Sequence, residues 1–114
     1  MKYLLMIVGD RVAMSTPSPD PERQMKLYQA LADELSSLGK FHEGAGLGPS
    51  SEARTLHRSD AGEFSVSEGP FSESGDVMGG YFVIEAESMD EAIEWAKKIP
   101  LRTAAKIEVR EAPD

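Results

Sequence analysis

Residues 81–100 read YFVIEAESMDEAIEWAKKIP, and two structural signals follow one another there. Tyr81-Phe82-Val83-Ile84 is an unbroken apolar run without alternation, which reads as a strand apolar on both faces. Ser88-Met89-Asp90-Glu91 then opens a helix as a capping box, with Ser88 and Glu91 satisfying each other's orphan backbone donors. Ala92, Trp95, Ala96 and Ile99 form its inward face. Asp90 and Glu91 stand at the positive end of the helix dipole, Lys97 and Lys98 at the negative end, and Pro100 stops the helix. Lys106–Arg110 (KIEVR) closes a β-α-β unit as an alternating strand with Ile107 and Val109 on one side.

The first half of the chain has the same order. Tyr3–Val8 is again apolar on both faces and ends at Gly9-Asp10. Arg11–Pro21, with three prolines, is expected to be a loop. Ser18 or Asp20 caps a helix whose first position is Pro19 or Pro21, and Met25, Tyr28, Leu31, Ala32, Leu35 and Leu38 form its apolar stripe. Gly39 supplies a left-handed stop, and Lys40–Leu47 is a weaker strand loosened by its glycines. Between the halves, Ala53–Arg58 and Glu63–Ser67 form a short hairpin, and EGPFSESGDVMGGY (Glu68–Tyr81) returns the chain to the sheet.

The expected fold is therefore α+β, a ferredoxin-like split βαβ antiparallel sheet with two helices on one face. Two helices cover one face of a four-stranded sheet, yet two strands are apolar on both. A large open apolar face is unusual on a soluble monomer. A homodimer packed sheet to sheet is the economical expectation.

Composition narrows the possible roles. The 114 residues make one domain. Without cysteine, disulfides, thiolate catalysis and cysteine metal sites are excluded. The net charge of −8, with no basic cluster beyond Lys97–Lys98, argues against nucleic acid and anionic membrane as partners. The apolar N-terminal run is too short for a signal peptide and nothing approaches a membrane span, so a cytoplasmic location is expected.

With these residues in view, the chain resembles the YCII-related family, in the branch named for its Asp-Gly-Pro-Phe motif. The likeness runs through Met1–Ile7, Gly48-Pro49-Ser50, Glu68-Gly69-Pro70-Phe71 with Glu73, Gly79-Gly80-Tyr81-Phe82, Asp90-Glu91-Ala92, Trp95-Ala96, Pro100 and Glu108-Val109-Arg110. It implies a dimeric α/β barrel, no established reaction, and for the branch a regulatory setting beside extracytoplasmic-function sigma factors. Glu68 stands where the family has aspartate, and Glu73-Ser74-Gly75-Asp76 where it commonly has Glu-Thr-Lys-Glu. The wider family's suggested His–Asp pair has no counterpart fixed by these motifs at His42 or His57.

Several residues are candidates for a site. Glu68, at a strand end beside a cleft, is a possible proton acceptor, with Phe71 as a pocket wall; the plainer reading is a rigid Gly69-Pro70 turn plugged by Phe71. His42 is a second candidate base. Glu73, Tyr81 and Arg110 are candidate ligand contacts, with Arg110 the natural cationic partner of Glu68 or of an anionic ligand. Glu68, Glu73 and Asp76 match no calcium loop, and adjacent strand residues His42 and Glu43 face opposite ways, so no metal and no cofactor is expected. The function read from the sequence is a small-molecule cleft near the Glu68 loop, with or without acid–base chemistry; the alternative is a non-catalytic regulatory or interaction module.

Overall fold

The computed structural model describes residues 1–70, 75–102 and 105–113. Six strands and three helices follow in the order β1 (Lys2–Asp10), α1 (Arg11–Ser15), α2 (Pro21–Ser37), β2 (Phe41–Gly46), β3 (Arg54–Arg58), β4 (Phe64–Glu68), β5 (Asp76–Glu85), α3 (Met89–Ala96) and β6 (Ala105–Glu111), with one 3₁₀ turn at Ser50–Glu52. The main sheet has the order β2-β5-β1-β6 and is antiparallel throughout, consistent with a split βαβ fold. β3 and β4 form a separate two-stranded sheet inserted between its halves.

Among the described residues three helices are present where two were expected. Arg11–Ser15 is helical because the Asp10 carboxylate caps it, accepting from the backbone N–H groups of Val12 (3.0 Å) and Ala13 (3.1 Å). For α2 the cap is Asp20, which accepts from the Arg23 N–H (3.1 Å), with Pro21 in the first turn. The inward stripe of α2 is Tyr28, Leu31, Ala32 and Leu35, whereas Met25 and Leu38, expected on it, are exposed. β5 also begins earlier than the expected start at Gly80, so residues 76–79 are strand and not loop.

Side-chain parity along β1 is strict. Tyr3, Leu5 and Ile7 are buried against Leu31 and Leu35 of α2 and Ala92 and Ala96 of α3. Phe82 and Ile84 of β5 join them, and Phe82 packs on Tyr28 and Phe41 with ring centroids 6.1 and 6.2 Å apart. Leu4, Met6, Val8, Val83 and Met78 alternate onto the opposite face and are only half-buried. The molecule is 18 Å thick across its Cα atoms, two layers of structure. Its radius of gyration, 15.9 Å, exceeds the roughly 13 Å usual for this length.

The start of α3 is tied to the rest by Glu91. Ser88 Oγ accepts from the Glu91 N–H (3.1 Å), but the Glu91 carboxylate reaches past Ser88 to the Glu87 N–H (2.9 Å), so only half of the expected capping box forms. The same carboxylate accepts from Lys40 Nζ (2.8 Å) and Trp95 Nε1 (3.0 Å). The Lys40 bond, with the Glu87 N–H next, holds the Glu91 carboxyl down to about 2 from an ordinary 4.5. A depressed folded-state pKa contributes stability that is present above the unfolded value and lost as pH falls through the folded one. Glu91→Ala is therefore expected to cost about 2 kcal/mol near neutrality. In urea titrations at a series of pH values, the gap between the two proteins should close between pH 4.5 and 2; a gap constant over that window would exclude Glu91 as its source.

Candidate functional site

The Glu68 loop begins at the root of the β3–β4 hairpin. In that ladder Glu68 lies opposite Arg54. Gly69 turns the chain at φ 92°, a conformation that favours glycine. Its N–H donates to the Ala53 carbonyl (2.8 Å), and its own carbonyl accepts from Thr55 Oγ1 (2.9 Å). The rigid-turn reading of Gly69-Pro70 thus has direct geometric support. Glu68 itself is exposed. Phe71 and Glu73 lie outside the described residues.

Between this root and the start of β5 is a cleft of about 490 Å³. Leu47, Val77 and Met78 give it apolar walls, while Glu52, Arg54, Thr55 and Asp76 bring polar groups to it, and Pro70 reaches its edge. Asp76 is ion-paired with Lys106 of β6. Arg54 Nη1 donates to the carbonyls of Glu52 (3.2 Å) and Ala53 (3.0 Å), which fixes its stem at the cleft.

The remaining candidates are elsewhere. Tyr81 and Arg110 lie on the sheet face away from the helices, in adjacent rows, since Tyr81 pairs with Met6 and Arg110 with Leu4, both of that face. Arg110 Nε is bonded to Glu108 Oε2 (2.6 Å), so the expected Arg110–Glu68 pairing is not formed; alternation along β6 puts the two side chains on one face and makes them neighbours. His42 sits at a register shift in β2 and places Nε2 3.0 Å from Glu85 Oε1. The N-terminal ammonium, and then His42, hold the Glu85 carboxyl below its usual range. His57 Nε2 lies 3.0 Å from Ser67 Oγ across the hairpin. Glu68 and His42 are on different sheets and do not share a site.

Sequence reading missed Arg54, Thr55 and the Glu85 partner of His42. Arg54 had a usable signal, because the expected hairpin puts it near Glu68 once the register is known. Glu85 had none, since its meeting with His42 depends on an irregularity in the β2–β5 ladder. Among the described residues, no three histidine or carboxylate groups gather as a metal site.

The profile of the YCII-related domain matches residues 1–112, nearly the whole chain. The protein belongs to the YCII-related family. An uncharacterised protein of Rhizobium meliloti (strain 1021) is 33% identical over 100 residues, covering 87% of this chain and 80% of the relative. This YCII-related chain carries a four-stranded antiparallel sheet and a separate β3–β4 hairpin. No helix among its described residues is long and apolar enough to cross a membrane.

Proposed function

We propose that this YCII-related protein is a homodimeric small-molecule-binding domain whose ligand lies in the cleft at the hairpin root, beside Pro70. The observation that carries the reading is the make-up of that cleft: apolar walls from Leu47, Val77 and Met78 with Arg54, Thr55 and Asp76 among the polar lining, the mix usual for a ligand site. Phe71 and Glu73 follow Pro70 in the chain and are proposed as further contacts. The binding version leads over the acid–base one because the Glu68 carboxylate is exposed and faces Arg54 in its ladder, without a histidine beside it. The regulatory setting implied by the resemblance to sigma-factor-associated relatives accords with a ligand-sensing module.

Dimerisation follows from the open sheet face. Its centre is apolar, with Leu4, Met6, Val83 and Met78, and its rim carries Lys106, Glu108 and Arg110 on β6 and Glu43 on β2. An apolar centre with a charged rim is the anatomy of a protein interface. Sheet-to-sheet packing of two copies gives the dimeric α/β barrel, with Tyr81 and Arg110 inside it.

A metabolite panel read by thermal shift tests the site. A ligand at a hundred times its dissociation constant adds about 2.7 kcal/mol, roughly 10 °C for a domain of this size. Gly48, at the cleft and with open space around its absent Cβ, provides the control: Gly48→Leu should remove the shift. Glu68→Gln should leave it in place, and loss of turnover without loss of binding in that variant would favour the enzyme instead. A shift that survives Gly48→Leu, or a panel with no shift at all, rejects the site.

A further inference from the structure

A second and larger cleft, about 570 Å³, opens between α2 and the sheet and shares no lining residue with the one at the hairpin root. Its floor is bare backbone at Gly46, while the Phe82 ring stands where a Gly44 side chain would be. By register Gly44 and Gly46 of β2 and Gly80 of β5 point to the helix side of the sheet, where neighbouring strand residues are Phe82, Ile84 and Phe41. A Cβ at Gly46 would meet nothing within 4 Å, so the missing side chain is what makes the space. Tyr28 and Ala32 of α2 line it from the helix side, Phe82 stacks on Tyr28 (interplanar angle 24°), and Met14 and Met25, with flexible thioethers that adapt to an occupant, complete the lining. The volume falls in the range of organic-ligand sites.

The polar rim of this cleft is selective. Gln29 Nε2 donates to Asp33 Oδ1 (2.9 Å), and Gln24 Nε2 donates to the Pro100 carbonyl (2.7 Å). The Gln29 carbonyl and the second Asp33 oxygen remain as acceptors. Asp33 is the one charged group among the described lining residues. Burial pushes the Tyr28 phenol above its ordinary value, so it stays neutral at pH 7.

We infer that the cleft between α2 and the sheet binds a planar aromatic molecule, neutral or cationic, lying over Gly46 beside the Phe82 ring with a nitrogen donor directed at Asp33 and Gln29. The open backbone at Gly46 admits a ring at van der Waals distance, and the stacked Tyr28–Phe82 pair beside it offers an aromatic wall. Acceptors at the rim and a net charge of −8 disfavour anions. The site is independent of the hairpin-root cleft.

Full-length protein titrated with proflavine, a planar fluorescent cation, tests this at physiological salt, where loose surface attraction is screened. Saturable one-to-one binding is expected. Asp33→Asn should weaken proflavine about tenfold and leave acridine, neutral at pH 7.5, unchanged. Gly46→Leu fills the floor and Ala32→Leu fills the helix side; either should abolish binding of both dyes while far-UV circular dichroism is retained. Gly48→Leu, at the other cleft, should not. The inference is overturned if binding is not saturable, if the fused-ring anion anthracene-2-carboxylate binds as tightly as proflavine, if folded Gly46→Leu and Ala32→Leu proteins still bind, or if Gly48→Leu is the variant that removes binding.

Discussion

The unaltered chain is expected to scatter light as a dimer at micromolar concentrations, and Val83→Lys to leave it monomeric there. Val83 is on β5, inside the sheet, flanked by Leu4 on one side and Glu43 on the other. It projects from the face that the helices do not cover, at the centre of the apolar stripe. In a two-fold dimer the substitution enters the interface twice, once from each copy. Taking an ammonium out of water costs several kcal/mol without a partner, so a weakening of a thousandfold or more is expected. The single chain should stay folded, because an exposed lysine in a strand costs under about 1 kcal/mol. The hairpin gives an independent reason to expect a partner copy. Leu56 pairs with Val66, Phe64 lies nearby, and all three are 63–64% exposed. A two-stranded hairpin with an uncovered apolar face is marginal by itself in water. Sedimentation of the unaltered chain as a monomer, or of Val83→Lys as a dimer, would remove the barrel from the proposed function.

How far the sequence could be read depended on the range of the interactions involved. Elements fixed by local chemistry were legible: Asp20 with Pro21, Ser88 before Glu91, and Gly39, which takes φ 70° after α2. The apolar runs at β1 and β5 were legible too, and their two apolar faces pointed to the half-covered sheet. What failed was decided at a distance. α1 is a single capped turn of helix whose Met14 packs on the core, a contact that no spacing of Arg11–Ser15 announces. Met25 fits a helical stripe, yet the glycine floor opposite gives it nothing to bury against. Glu68 looked like the centre of the site because its motif is conspicuous. The structure shows Gly69 as the element that turns the chain there, with Arg54 and Thr55 brought beside it by cross-strand register. Glu68 was expected as the partner of Arg110, whereas Glu108, two residues away on the same side of the strand, takes its Nε–H.

Ile84→Ala, one residue beyond Val83, is expected to have the opposite character. Ile84 has no exposed surface and lies between Tyr3 of β1 and Phe41 of β2 on the helix-facing side. Truncating a buried isoleucine to alanine removes its transfer free energy and leaves a cavity, together about 3–4 kcal/mol where the surroundings cannot collapse. Here two of the flanking side chains are aromatic rings packed by their ring neighbours, Phe41 against Phe82 and Tyr3 within the buried cluster, so collapse is limited. Domains of this size have only about 5–15 kcal/mol in total, and a two-layer protein with one covered face belongs toward the lower part of that range. The melting temperature should fall by roughly 10–15 °C, with the urea midpoint shifted and its slope unchanged. Val83→Ala should cost under about 1 kcal/mol in a chain kept monomeric by dilution, because its side chain leaves only a half-covered surface. The comparison therefore separates the two faces of one strand. If Ile84→Ala cost less than about 1 kcal/mol, or if both truncations cost the same in the monomer, the helices would not be what organises the core.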